Sequence, residues 1–311
     1  MFKGFFKKRV TDKQEEPDIS LSGGIESSVL RAVGPHSIPT MPAAAQKAFQ
    51  LSTDPNAEAR DFVEIIEADE AMSARILKIA NSVFFDRGKP TDTIEDAVTL
   101  IGINELRCLL NATTLSDLFP SRHSARTQLW ANDIATGLIA RSLAENFIPE
   151  KAEVAFLAGL MHDIGKLLML QRLEPDYVQI IRRAGQEGIS FCEAEQDFFV
   201  FNHSEAGLLI AERWKFSREL KLAIAKHHNS WEELENESDM IVRLVKAADL
   251  ISHSLGLGHP SGFGAFRNNA SDQINEIWER LSLNPADQRD MLHGFKRTFE
   301  LEYDLYAGSA G

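Results

Sequence analysis

The sequence predicts an all-α protein, and three observations predict it. Apolar residues recur at three- and four-residue spacing from Ile38 almost to the C-terminus. Few stretches alternate with a period of two, and proline or glycine breaks return roughly every ten to twenty residues. With 311 residues, 44% of them hydrophobic, the chain has ample material for a large core.

Residues 1–27 read as a flexible tail whose start, Met1–Arg9, mixes phenylalanines with lysines over too short a run to anchor stably at a membrane. Ser37–Pro42 reads as an extended entry with prolines before or at the first helical turn, followed by a helix over Ala43–Ser52 that Asp54-Pro55 closes. Asp61–Glu67 and Ala71–Ala80 present Phe62, Ile65, Ile66 and Met72, Ile76, Leu77, Ile79 at helical spacing. Thr93 and Asp96 have capping spacing, Gly102 stops that helix, and Asn104 starts the next through Leu115. A soft boundary falls at Phe119–Ala125. Helices then follow at Trp130–Phe147, Lys151–Gln171, Asp176–Ala184, Phe191–Phe199, Ser204–Trp214, Ser217–His228 and Ile241–Leu255. Gly256–Gly264 is a loop, and helices over Asp272–Leu281 and Pro285–Tyr303 close the chain.

A net charge of -13 argues against broad contact with a nucleic-acid backbone, and the Asn104–Arg107 segment lacks the basic recognition helix such a role needs. No apolar run reaches transmembrane length, and the N-terminus has no signal-peptide core. Cys108 and Cys192 lack metal-type spacing and suggest core thiols in a reducing, cytoplasmic setting.

The segment that breaks its own pattern is Ala155–Leu170, apolar on nearly every side yet carrying His162, Asp163 and Lys166. Burying such groups without partners costs several kcal/mol, and Gly165 adds about 1 kcal/mol of helix penalty. Adjacent His162 and Asp163 diverge by about 100° on a helix, so a metal between them needs ligands from elsewhere. Downstream lie His203, the pair His227-His228, and Asp249 in another apolar segment. Imidazole and carboxylate ligands suit iron, manganese, zinc or magnesium, and hydrolysis of phosphate esters is a common use of such sites. Glu195, eight residues before His203, could join the polar cluster but reads more readily as a surface carboxylate, and His36, His123, His253, His259 and His293 carry no catalytic role.

The order His162-Asp163, His203, His228, Asp249 resembles the HD superfamily of metal-dependent phosphohydrolases, whose central motif is similar to His162–Lys166. Ile38–Pro42, Ile66–Glu70, Arg75–Ser82 and Ile94–Gly102 narrow this to a resemblance to the HDOD family, the HD-related output domain of bacterial signalling proteins, over about residues 30–255. The resemblance implies an N-terminal helical subdomain (28–120) beside a degenerate HD-type bundle (121–255), with 256–311 as a C-terminal helical extension. It implies signalling by binding protein partners, usually without catalysis, with a nucleotide or a divalent metal in the vestigial cleft. His162, Asp163, Asp249, His203 and His228 would be the metal ligands, and Lys166 a phosphate contact or a salt bridge to Asp163 or Asp249.

Two departures bear on catalysis. The first histidine of active relatives aligns with Asn132, and a neutral amide is a poor ligand for a transition metal. Asp133 beside it would substitute only if the helix rotated by about 100°. The glycine-tyrosine-proline signature of the cyclic-di-GMP phosphodiesterase branch is missing after His227-His228. The alternative function is a metal-dependent phosphohydrolase using His162, Asp163 and Asp249. The expected working surface is the groove between the two helical subdomains.

Overall fold

The structure is a computed structural model that describes residues 19–307 apart from 42, 55, 86, 235–238 and 260–261. The aromatic and basic stretch Met1–Arg9 lies outside the described residues, among which all regular structure is helical. The chain divides into two compact units: residues 40–118 with 300–311, and residues 1–39 with 119–299. The sequence reading placed its breaks at 27/28, 120/121 and 255/256.

Helix α1, Gly23–Val33, opens the larger unit. It begins inside the stretch read as a tail, because Ser22 caps Ile25 and the helix buries Val29 and Val33 on one face. The smaller unit holds α2 (Ala43–Thr53), α3 (Ala59–Glu67), α4 (Glu70–Ala80), α5 (Ile94–Ile101) and α6 (Ile103–Ser116). Its core is Phe62, Ile65 and Ile66 of α3 with Ile76, Val98, Leu106 and Leu109, all buried. Thr93 caps α5 by accepting from the Asp96 N–H, and Gly102 at φ 84° ends α5 and begins α6. Arg75 ties α4 to the end of α6, donating to the Thr113 carbonyl at 2.7 Å and pairing with Asp117 at 2.9 Å.

The larger unit continues with α7 (Ala125–Phe147), a single 3-10 turn at Pro149–Lys151, α8 (Ala152–Met161), α9 (Ile164–Arg172), α10 (Glu174–Glu187) and α11 (Phe191–Gln196). Then come α12 (His203–Arg213), α13 (Arg218–Lys226), α14 (Met240–Leu255), α15 (Gly264–Leu281) and α16 (Pro285–Tyr306), whose residues from 300 onward belong to the smaller unit. The one long helix expected over Lys151–Gln171 is two helices, broken at His162-Asp163, where Asp163 leaves helical geometry at φ -106°, ψ 15°.

Glycine explains two of the helix contacts around that break. A Cβ on Gly165 would lie 1.9 Å from the His203 carbonyl oxygen, so α9 and α12 touch backbone to backbone. A Cβ on Gly159 would lie 2.8 Å from Gly137 Cα, which seats α8 against α7 in the same way. The helix penalty at Gly165 is therefore the condition for bringing the start of α12 onto the start of α9.

Candidate functional site

All the candidate groups belong to the larger unit. His162 ends α8 and Asp163 starts α9, so the pair sits in a joint rather than on a helical surface. The divergence expected of neighbours on a helix is thereby removed: His162 Nε2 lies 3.2 Å from Asp163 Oδ2 and 3.3 Å from Asp249 Oδ1 of α14. From α12, His203 Nε2 reaches Asp163 Oδ1 at 3.1 Å. His227 Nε2 is 3.5 Å from the same oxygen, and His228 Nε2 lies 2.9 Å from His203 Nε2. The five residues singled out as ligands thus meet in one cluster, and His227 joins them.

His227 is a residue the sequence argument did not select. Helix α13 ends at Lys226, so both histidines lie in the following turn and both rings reach the cluster. His227 is fully buried, whereas His228 is exposed at the cluster's edge.

Glu195 requires a correction. It is buried, not a surface carboxylate, because α11 stops at Gln196 and turns its carboxylate onto α12. The carboxylate accepts from the His203 backbone N–H at 2.9 Å, faces His203 Nδ1 at 2.9 Å, and accepts from the Tyr177 hydroxyl at 2.7 Å. His253 and His259, set aside from sequence, also belong here. His253 Nε2 lies 3.0 Å from Asp249 Oδ1, and its Nδ1 lies 2.7 Å from His259 Nε2.

Lys166, one turn beyond Asp163, is buried, forms an ion pair with Asp163 Oδ2, and stands 4.0 Å above the Phe191 ring. Asn132 is buried but turned elsewhere. Its amide donates to Ser252 Oγ at 2.8 Å and the Leu257 carbonyl at 3.2 Å. Gly258 closes on it so tightly that a Cβ there would lie 2.3 Å from the Asn132 nitrogen. Asp133 is nearer the cluster than expected without any rotation of α7, its Oδ1 lying 3.9 Å from His162 Nδ1. Neither Asp133 oxygen has a hydrogen-bond partner, and burial raises its pKa well above the usual carboxylate range. Burial thus favours the protonated form of Asp133.

The electrostatics follow from this packing. Burial would raise the Asp163 pKa, but His162, Lys166 and His203 override it and hold the carboxylate ionised. Burial opposes charge on His162, yet Asp163 and Asp249 lift its pKa well above the usual value. For His203 the same contest is decided by Glu195, again upward. His227, buried and facing other imidazoles, is pushed down to about 4.

Three imidazoles are oriented from behind. His162 Nδ1 faces the Gly159 carbonyl at 2.7 Å, His203 Nδ1 faces Glu195, and His227 Nδ1 faces the Ala223 carbonyl at 3.0 Å. In the neutral imidazoles, donation there leaves each Nε2 lone pair aimed inward, the arrangement that second-sphere partners impose on metal-binding histidines. Inward-facing Asp163 Oδ1, Asp249 Oδ1, His162 Nε2 and His227 Nε2 are buried without a hydrogen-bond partner. Asp163, His203, His227 and His228 each offer a ligand atom within 4.8 Å of the others. Such a set fits one cation of the zinc, iron or manganese kind better than magnesium, which prefers oxygen ligands.

A family model described as HDOD domain matches residues 38–230. This chain belongs to the HDOD family. A curated relative, an uncharacterized protein of Treponema pallidum (strain Nichols), is 25% identical over 194 residues, which is 62% of this chain but only 38% of that protein. A candidate signal transduction protein from Marinobacter aquaeolei VT8 superposes with a TM-score of 0.73 at 19% identity, covering 91% of this chain and 64% of that one. A candidate phosphohydrolase from Shewanella amazonensis SB2B superposes with a TM-score of 0.64 at 21% identity, covering 90% and 96%. At these identities the likeness establishes the shared fold. No helix among the described residues is long and apolar enough to cross a membrane.

Proposed function

We propose that this HDOD protein is a signalling module that acts by binding partners, and that its HD cleft holds at most one metal ion and does not turn over substrate. The observation that carries this reading is Asn132. At the place of the first histidine ligand stands an amide whose N–H groups are taken by Ser252 and the Leu257 carbonyl, under a loop that Gly258 packs onto it. Lys166 adds to it by neutralising one oxygen of Asp163, which a second metal would have to share. The Marinobacter structure, a candidate signal transduction protein, supports the same reading.

The remaining donors, Asp163, His203, His227 and His228, would hold the ion, with His162 and Asp249 beside it. A bound divalent ion would supply Lewis acidity and acidify a coordinated water. What this chain's own residues do is narrower: Glu195 orients His203, Lys166 holds Asp163, and Asn132 closes the first ligand position.

The cluster of buried, unpartnered lone pairs favours a second reading, the metal-dependent phosphohydrolase using His162, Asp163 and Asp249. The two separate by experiment. Elemental mass spectrometry on protein purified without chelator or nickel should give no more than one metal per chain, lost in Asp163→Ala. Hydrolysis of bis(p-nitrophenyl) phosphate with added manganese, iron or zinc should stay at background. Turnover that disappears in folded Asp163→Ala would establish the phosphohydrolase instead.

A further inference from the structure

The smaller unit exposes apolar side chains that its core does not use. In the loop from Asn81 to Thr91, between α4 and α5, Val83 is 96% exposed and Phe84 48%. Phe85 lies beside them, its ring edge-on to that of Phe84 at 4.9 Å between centroids. Large apolar groups standing together in water mark a contact surface more often than single ones do.

The loop is shaped for such a contact. At its base the Asn81 side chain takes both backbone groups of Thr91, accepting from the N–H at 2.7 Å and donating to the carbonyl at 2.8 Å. The same amide donates to the Leu77 carbonyl at 2.9 Å, which ties this clasp to the last turn of α4. Above the clasp, the Phe85 N–H donates to the Ser82 carbonyl at 3.1 Å, a tight turn with Val83 and Phe84 at its tip. The result is a closed projection rather than a groove. It suits a surface that yields to it, as a lipid headgroup layer does, and offers no cleft for a peptide.

Charge selects among such surfaces. Lys78, in the last turn of α4, and Arg87 and Lys89, in the loop, are all exposed. Asp86 is the one acid between Lys78 and Thr91, and Asp92 lies past the clasp. In a chain of net charge -13, this is a local excess of cations beside exposed apolar groups, the pairing that anionic bilayers attract. The sequence repeats that chemistry at Met1–Arg9, which carries Phe2, Phe5 and Phe6 with Lys3, Lys7, Lys8 and Arg9 and no acid. Neither element alone has the apolar area for stable attachment, but two weak contacts on one chain reinforce each other. Another exposed apolar tip, Phe198 and Val200 after α11, gives the contrast. No lysine or arginine occurs from 184 to 212, and Asp197 is paired with Arg183, so that tip has no attraction for an anionic surface.

We propose that the Val83-Phe84 tip inserts into the headgroup layer of an anionic lipid bilayer, with Arg87 and Lys89 on its phosphates and Met1–Arg9 as a second contact. The proposal does not depend on whether the His/Asp cluster holds a metal. The test is co-sedimentation of the full chain with vesicles of phosphatidylcholine, alone and with about 30% phosphatidylglycerol. The protein should partition onto the anionic vesicles only, and about 0.5 M salt should weaken the binding several-fold. Val83→Asp should weaken it by at least about tenfold, whereas Val83→Trp should strengthen it, since indole favours the interface. Arg87→Gln combined with Lys89→Gln should weaken it and flatten its salt dependence. Val83 is almost wholly exposed, so its variants should keep the wild-type melting temperature, and a loss then reports contact rather than folding. Equal binding by wild type and Val83→Asp, equal binding to neutral vesicles, or no partition at all overturns the proposal. Self-association that Val83→Asp abolishes, without vesicle binding, also overturns it and gives the tip to a second copy of the chain.

Discussion

Glu195 holds three donors at once: the backbone and ring of His203 and the hydroxyl of Tyr177. Because it fixes which nitrogen of His203 faces Asp163, its loss should be felt in metal retention before it is felt in fold. Glu195→Gln, close in size but uncharged, is expected to lower metal affinity by about 10–100-fold, the usual effect of removing a partner of a metal-bound histidine. Competition with a chromophoric chelator measures it, and an unchanged affinity would remove Glu195 from the site. Tyr177→Phe removes one donor to the same carboxylate and should cost about 1.5–3 kcal/mol of stability, read from denaturant midpoints. The sequence favoured the surface reading of Glu195 over the cluster for a definite reason. Read as one helix over Phe191–Phe199, the segment puts a carboxylate among exposed positions; the real helix ends at Gln196 and folds that face inward. His227 was hidden differently, since the spacing of an adjacent pair cannot say which ring turns inward, and here the turn after Lys226 brings both.

At the scale of elements, the contact of α9 with α12 decides whether a site exists. Gly165 and Gly207 lie on the facing sides of these helices, and a Cβ at Gly165 would strike the His203 carbonyl carbon and oxygen as well as Gly207 nitrogen. These are backbone atoms and cannot swing aside. Gly165→Ala should therefore destabilise by about 1–3 kcal/mol through overpacking, despite alanine's better helix propensity, and should reduce metal content by displacing His203 from Asp163. Gly294 in α16 is the counter-case: it is exposed, and a Cβ added there would meet nothing within 4 Å. Gly294→Ala should stabilise by up to about 1 kcal/mol. Thermal melts of the two variants give opposite signs if the contact is as described; equal signs would refute it. The helices themselves were largely legible, because their caps and periods are local: Thr93 and Gly102 each punctuate where their chemistry says they should. Less legible were features set by tertiary packing. The joint at His162-Asp163 looked like continuous helix because nothing in its local propensity forbids one, and α15 starts eight residues before the Asp272 of the sequence reading, at Gly264.

For the whole molecule the cluster couples folding to pH in two opposing ways. His227, pushed down to about 4, and His259, pushed down to about 3 by burial and by His253, are neutral when folded and protonate near 6.5 when unfolded. The unfolded chain then binds more protons, so stability falls as the pH drops below about 6.5. Each of these histidines contributes a slope of about 1.4 kcal/mol per pH unit until its folded value is reached. His162 and His203 act in the opposite sense. Their folded pKa values are raised, so their contribution is complete below about 6.5 and is lost as the pH climbs through the folded values. Metal-free protein should accordingly be most stable near pH 6.5 and weaken on both sides. A metal ion replaces those protons as the charge facing Asp163 and Asp249, and it binds the deprotonated imidazoles. Loading should therefore remove the alkaline loss while sharpening the acidic one, since protons then compete with the metal. Thermal melts from pH 4 to 9, on protein dialysed against chelator and on protein reloaded with zinc, separate the two states. Stability that rises steadily with pH in the chelated sample would mean that His162 and His203 are not held protonated by Asp163, Asp249 and Glu195.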